Sequence, residues 1–211
     1  MQRTMTFKFA SLSVLLSITG WLYAQQPQRQ LTTEQQAQQA VAKAQTVKPS
    51  IPQRPVNQEI TDWVTSSEKE LVGITEDMPE DKYNFAPTNG EFRGVRNFGK
   101  QVKHAAAAIQ LASAAILGDP TPADAADERG PDAAKTKAEI LKYLKDSYAY
   151  LRKAAAAIDE KNAFEPFKSP FGQGLRTRVS LINATLVHSA NHYGQMVEYL
   201  RMNGIRPRGS N

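Results

Sequence analysis

Four stretches of roughly 20 to 30 residues place apolar side chains every three or four positions, and the first, second and fourth are closed by proline or glycine. That spacing follows the 3.6-residue turn of an α-helix, and no stretch alternates in the way a half-buried strand does. The first helix, from about Val56, sets Ile60, Trp63, Val64, Leu71 and Ile74 at helical spacings and stops at Pro79. The second runs from Asn97, a capping residue, to Leu117, where Gly118-Asp119-Pro120 ends it. The third, within residues 134–160, carries Ile140, Leu141, Leu144, Tyr148, Leu151, Ala155 and Ile158 on one stripe. The fourth spans Leu175 to Asn203, with Gly204 as its C-cap and Pro207 preventing resumption. A helix with one apolar face must bury it against another element. Four such helices therefore predict an all-α domain, an antiparallel four-helix bundle over residues 56–208. Between them, residues 80–97 offer Tyr83, Phe85 and Phe92 as pins against the helices, 119–134 form a polar connection long enough to cross the end of the bundle, and 161–174 hold three phenylalanines.

The segment ahead of the bundle reads differently. Arg3 and Lys8 precede the apolar run FASLSVLLSITGWLYA, residues 9–24, after which the sequence turns polar. A charged start, an apolar stretch and a small residue at its boundary are the parts of a secretory signal, here over residues 1–24 with cleavage after Ala24. The run is shorter than the roughly 20 residues that span a bilayer, so a cleaved signal is expected over a retained anchor. Cleavage would leave no stable membrane insertion and a periplasmic or secreted protein. Residues 25–55, rich in Gln and Pro, read as a flexible tether with a transient helix over 32–46. Loss of residues 1–24 removes Arg3 and Lys8 and no acid, so the net charge falls from +5 to +3. That modest charge, without a basic stripe interleaved with aromatics, argues against nucleic acid. The absence of cysteine excludes disulfides, thiolate metal sites and a cysteine nucleophile.

The chain has three histidines, and two of them, His188 and His192, stand four residues apart in the fourth helix. At about 100 degrees per residue they share a strip with Leu181, Ala184, Thr185, Asn191, Gln195 and Tyr199. Two imidazoles so placed can hold one divalent ion. His104 lies in the second helix among Ala105, Ala107 and Ala108, small residues that let another backbone approach. If the second and fourth helices are neighbours, His104 completes a facial set of three nitrogens, a pattern that leaves zinc an open position. Nickel, iron, cobalt and manganese fit the same donors. The competing expectation is that these histidines only pack.

Other chemistries lack their residues. Ser189, Ala190 and Asn191 separate the two histidines, so this is not an HExxH protease helix. The inward glutamates of a di-iron bundle are missing, as are GxSxG, a phosphate-binding GxxxxGK loop and a GxGxxG turn.

Two segments resemble the DinB-like family of helical-bundle proteins: MPEDKYNFAPTNGEFRGVRNFGKQVKHAA, residues 78–106, and HSANHYGQMVEYLRMNGIRP, residues 188–207. Met78, Pro79, Tyr83, Phe85 and Pro87 follow the family's opening, and Arg96, Phe98, Val102 and His104 its second helix. His188, His192, Tyr193, Gly194, Gln195, Tyr199, Leu200, Arg201, Asn203, Gly204 and Pro207 follow its end. The resemblance implies a four-helix bundle with a long connection between the second and third helices. It also implies a divalent metal, held by His104, His188 and His192, with zinc or nickel the expected ion and iron, manganese or cobalt as alternatives. Relatives include dimers, thiol transferases, hydrolases and isomerases, so a homodimer is one expected assembly. The export signal makes transfer of an abundant cytoplasmic thiol a poor expectation here.

The functional expectation is an exported metal-dependent enzyme, hydrolase or transferase-like, acting on a small molecule. Gln195, Asn191 and Thr185 are candidates to orient a ligand or water, and Tyr83 a loop residue that could reach the metal's open side. The alternative is a metal-carrying bundle without catalysis, serving in binding or structure.

Overall fold

The computed structural model describes residues 32–46, 53–172 and 174–208. The expected signal, residues 1–24, and tether residues 25–31 and 47–52 lie outside the described residues. The chain divides into two units, Met1–Pro52 and Gln53–Asn211. The first contains helix α1, Thr33–Thr46, where the transient helix is expected. Thr32 and Gln35 cap it reciprocally: the Gln35 N–H donates to Thr32 Oγ1 at 3.3 Å and the Thr32 N–H to Gln35 Oε1 at 3.0 Å. Its side chains from Thr33 to Lys43 are exposed, so helix-favouring Ala and Gln and the cap hold it rather than burial.

The second unit is the bundle: α2 (Val56–Asp77), α3 (Phe98–Leu117), α4 (Lys137–Ala156) and α5 (Arg178–Met202). Local signals set the boundaries. The Asn97 side chain accepts from the Lys100 N–H, and Gly118 closes α3 at φ +74. Thr136 with Glu139 and Thr177 with Ser180 form capping boxes at the starts of α4 and α5. Two boundaries depart from expectation. Residues Leu175–Thr177 are strand β2, paired antiparallel with β1, Pro166–Lys168, so α5 starts at Arg178 and not at Leu175. Helix α4 stops at Ala156, and Ile158 joins the core from the following turn. Among the described residues, no helix is long and apolar enough to cross a membrane.

The bundle is not uniformly antiparallel. Lys137 at the start of α4 donates to the Glu76 and Met78 carbonyls at the end of α2, each at 2.7 Å, and Glu160 past the end of α4 accepts from the first N–H of α2. These two helices run in opposite directions. Helices α3 and α4 instead run the same way: Gly99 lies beside Ile140, Gln110 bonds Ser147 and Asp119 bonds Tyr150. The end of α5 meets the start of α3 through the Tyr199 hydroxyl on the Arg96 carbonyl, and it meets the end of α2 through Arg208 and Asp77. Helices α2 and α5 therefore point one way, α3 and α4 the other.

This direction explains the long second connection. Parallel neighbours cannot be joined by a tight turn, and a 20-residue helix is about 30 Å long, so residues 118–136 must travel back along it. They run along α3: Ala125 packs on Ala107 and Leu111, and Lys103 Nζ donates to the Pro131 carbonyl at 2.8 Å and the Ala134 carbonyl at 3.3 Å. The return segment covers a side of α3 that the other helices leave open. That is why α3 can be apolar nearly all round, with Ala105, Ala106, Ala107 and Ala112 buried.

Gly130 marks the tightest point. Its φ is +72, and a Cβ there would lie 3.0 Å from Lys103 Cβ and 3.1 Å from the Lys103 carbonyl oxygen. A Gly130→Ala variant should lose roughly 1–3 kcal/mol, read as a lower urea midpoint with an unchanged m-value. An unchanged midpoint would mean that the segment is not pressed onto α3.

Candidate metal centre

Helices α3 and α5 place the three histidines face to face. Ring centroids are 4.3 Å apart for His188 and His192, 4.8 Å for His104 and His192, and 5.1 Å for His104 and His188, with the planes nearly perpendicular. One ring nitrogen from each falls within 4.8 Å of the other two. His188 and His192 bring their Nε2 atoms to 2.9 Å. His104 and His192 are buried, and His188 is half-buried on the accessible side.

The return segment sets the tautomer of His104. Its Nδ1 lies 2.8 Å from the Glu128 backbone carbonyl, which can only accept, so Nδ1 carries the hydrogen. Nε2 is then left with a lone pair, the state a ligating imidazole needs. Glu128 delivers this carbonyl from a left-handed backbone, φ +57, uncommon outside glycine. Its carboxylate stays close, with Oε2 3.9 Å from the same Nδ1.

Electrostatics keep the pair on α5 neutral. Burial holds His192 down at about 3, with the neighbouring imidazoles and Arg96 acting in the same direction. Burial likewise lowers His188, helped by His104 and Arg96 and opposed by Glu128. Neutral imidazole is the form that coordinates a cation. The donor set fits a divalent ion: three nitrogens from two rigid helices, with no cation of their own among them. Among the described residues the Nδ1 atoms of His188 and His192 have no hydrogen-bond partner, while their Nε2 atoms face each other at 2.9 Å, so the Nε2 atoms are the ones turned toward a shared position.

A cavity of about 330 Å³ opens beside this cluster. His188 and Thr185 form one wall, Glu128 the second, and Phe171 and Arg176 from the β1–β2 hairpin region a third. Ala108 and Ala184 provide the room. Of the residues expected near the metal, Thr185 is at the cavity, although its hydroxyl donates back to the Leu181 carbonyl at 2.8 Å. Gln195 and Asn191 form an amide chain with a buried third member: Gln101 Nε2 donates to Gln195 Oε1 at 2.5 Å, and Gln195 Nε2 donates to Asn191 Oδ1 at 2.8 Å. This chain ties α3 to α5 within one turn of the histidines. The expectation for Tyr83 is corrected. Its hydroxyl donates to the Thr75 carbonyl at 2.8 Å and its ring packs on Phe98, so it is committed to the core near the end of α2.

Sequence reading missed Glu128, Gln101, Phe171 and Arg176. Glu128 reaches the site because its loop lies along α3, and nothing in the spacing of residues 119–134 points to His104. The available hint was the run of alanines around His104, which signals close approach by some other backbone.

A family model described as the DinB superfamily matches residues 64–196. A solved structure of a conserved protein from Enterococcus faecalis is similar with a TM-score of 0.54 at 16% identity, covering 71% of this chain and 98% of its own. At that identity the likeness is one of fold. No curated protein sequence matches the chain.

The lowered histidines predict a pH dependence for the metal-free protein. Below about 6.5 the unfolded chain takes up protons that His192 in the folded chain refuses until about 3, so stability falls as pH falls through that window. The slope from this residue is at most about 1.4 kcal/mol per pH unit. Urea titrations of chelated protein between pH 7 and 5 should show a shallower decline for His192→Gln than for the parent. Equal slopes would contradict a buried neutral His192.

Proposed function

Starting from the DinB superfamily, to which the chain belongs, we propose that it is a metal-dependent enzyme, a hydrolase or group transferase, acting on a small molecule. His104, His188 and His192 would hold one divalent ion, zinc or nickel first, with iron, manganese and cobalt as alternatives. The observation that carries this reading is the cavity: the side of the three-imidazole cluster that His188 presents opens onto a space a small solute can enter. A site built only to store an ion gains nothing from such a space.

When bound, the ion supplies Lewis acidity and a lowered pKa for coordinated water. The protein groups divide the remaining work. His104 is held in the right tautomer by the Glu128 carbonyl. The Glu128 carboxylate, on the cavity wall with His188, takes the proton from the attacking water or substrate hydroxyl and returns it to the leaving group. Gln101, Gln195 and Asn191 hold α3 and α5 in register so that the nitrogens stay convergent. Thr185 shapes the cavity wall beside His188. The apolar run and charged start of residues 1–24 support action outside the cytoplasm.

Screening zinc- and nickel-loaded protein against ester, amide, phosphoester and thiol-transfer substrates tests the proposal. Activity should vanish on chelation and in His188→Ala, and Glu128→Gln should lower kcat by roughly 10²–10⁴ while leaving metal content unchanged. Absence of turnover across the panel by protein that retains its metal would support the non-catalytic carrier instead. Full kcat in Glu128→Gln would remove that residue from the chemistry.

A further inference from the structure

We propose that the substrate of this site is a small organic anion with an apolar body, its negative group seated on Arg176 and its body against Phe171. The inference rests on the site reading above and names the class of molecule that the reading leaves open.

The argument begins with how the arginines are used. Arg93, Arg129, Arg152, Arg178 and Arg201 each face a carboxylate, and Arg54 and Arg208 each face two. Arg96 and Arg176 differ: among the described residues, neither guanidinium has a hydrogen bond or ion pair. These two are also the arginines at the histidine cluster. Arg176 lines the cavity with His188, and the Arg96 charge is felt by both His188 and His192. A guanidinium presents its donors in a planar fork suited to a carboxylate or phosphate, and here that fork has no internal claimant.

Arg176 is also firmly placed. It lies in β2, opposite Phe167 in the hairpin, and the next residue, Thr177, caps α5. The backbone at Arg176 is thus fixed to the helix that carries His188 and His192. The rest of the wall suits an apolar body: Phe171 gives an aromatic face, Ala108 and Ala184 give space, and the cavity of about 330 Å³ is near the small end of ligand pockets. Among the described residues, Glu128 is the one acid on the wall. It sits on the His104 side, where it repels an anion from the wrong end and so favours a single orientation.

The test is binding, with metal content measured in parallel. Phenylacetate and phenyl phosphate serve as anionic probes and phenylacetamide as the neutral match, each titrated by calorimetry and ligand-observed NMR into chelated and zinc-loaded protein. Using chelated protein separates capture by Arg176 from direct ligation to the ion. At least one anion should bind chelated protein at least about tenfold more tightly than the amide. Arg176→Gln should erase that difference, Arg176→Lys should restore part of it, and zinc uptake should stay the same in both. Phe171→Ala should weaken anion and amide alike. Anion and amide binding equally, no detectable anion binding, or a preference that survives Arg176→Gln would overturn the proposal. The two readings fail separately. Loss of the anion preference with normal zinc uptake sinks this inference alone, and an Arg176-dependent preference in protein that takes no metal sinks the metal reading alone.

Discussion

The hydrogen bond between His104 and the Glu128 carbonyl joins the topology of the bundle to its chemistry. It exists because α3 and α4 run in the same direction, which obliges residues 118–136 to return along α3. On that return the chain passes the histidine on its way to Thr136. Gly130 permits the close pass, and the left-handed backbone at Glu128 turns the carbonyl toward the ring. A connection at the bundle end would leave His104 Nδ1 without this partner and both tautomers available. Fixing one tautomer leaves Nε2 as the donor atom that faces α5.

The same geometry explains how a polar cluster survives inside an apolar core. Three imidazoles are costly to bury when charged, and burial holds His188 and His192 in their neutral forms. The neutral imidazole is the form that can coordinate a cation. Glu128 is left as the cavity group with a carboxylate to offer, and Arg96 and Arg176 give the surroundings a positive field suited to anions. Helices α3 and α5 place the three histidines, the return segment places Glu128, and the hairpin places Arg176.

Much of this was legible from the sequence, and the parts that were not share a cause. The helix spans could be read because each carries its own apolar period, and Asn97 marked the start of α3. The three histidines could be nominated because His188 and His192 share a face of one helix and His104 sits among alanines. Helix direction could not be read, since an apolar stripe is the same whichever way its neighbour runs. Glu128 and Arg176 were invisible for a related reason: they reach the site through a return loop and a hairpin with two three-residue strands, too short to show alternation. Tyr83 misled because a loop tyrosine near a resemblance motif suggests chemistry, whereas its hydroxyl satisfies a carbonyl at the end of α2.

The central claim is that three imidazoles from two helices act as one site for one ion. Its most direct test is metal content per chain in untagged protein purified without a nickel column, followed by calorimetric titration of zinc into the chelated form, for the parent and for His104→Ala. The account predicts one equivalent in the parent, removed by chelator and restored by titration, with stoichiometric uptake lost in the variant although the helices remain folded by circular dichroism. A parent that takes up no metal, or a His104→Ala variant that binds it unchanged, would contradict the account.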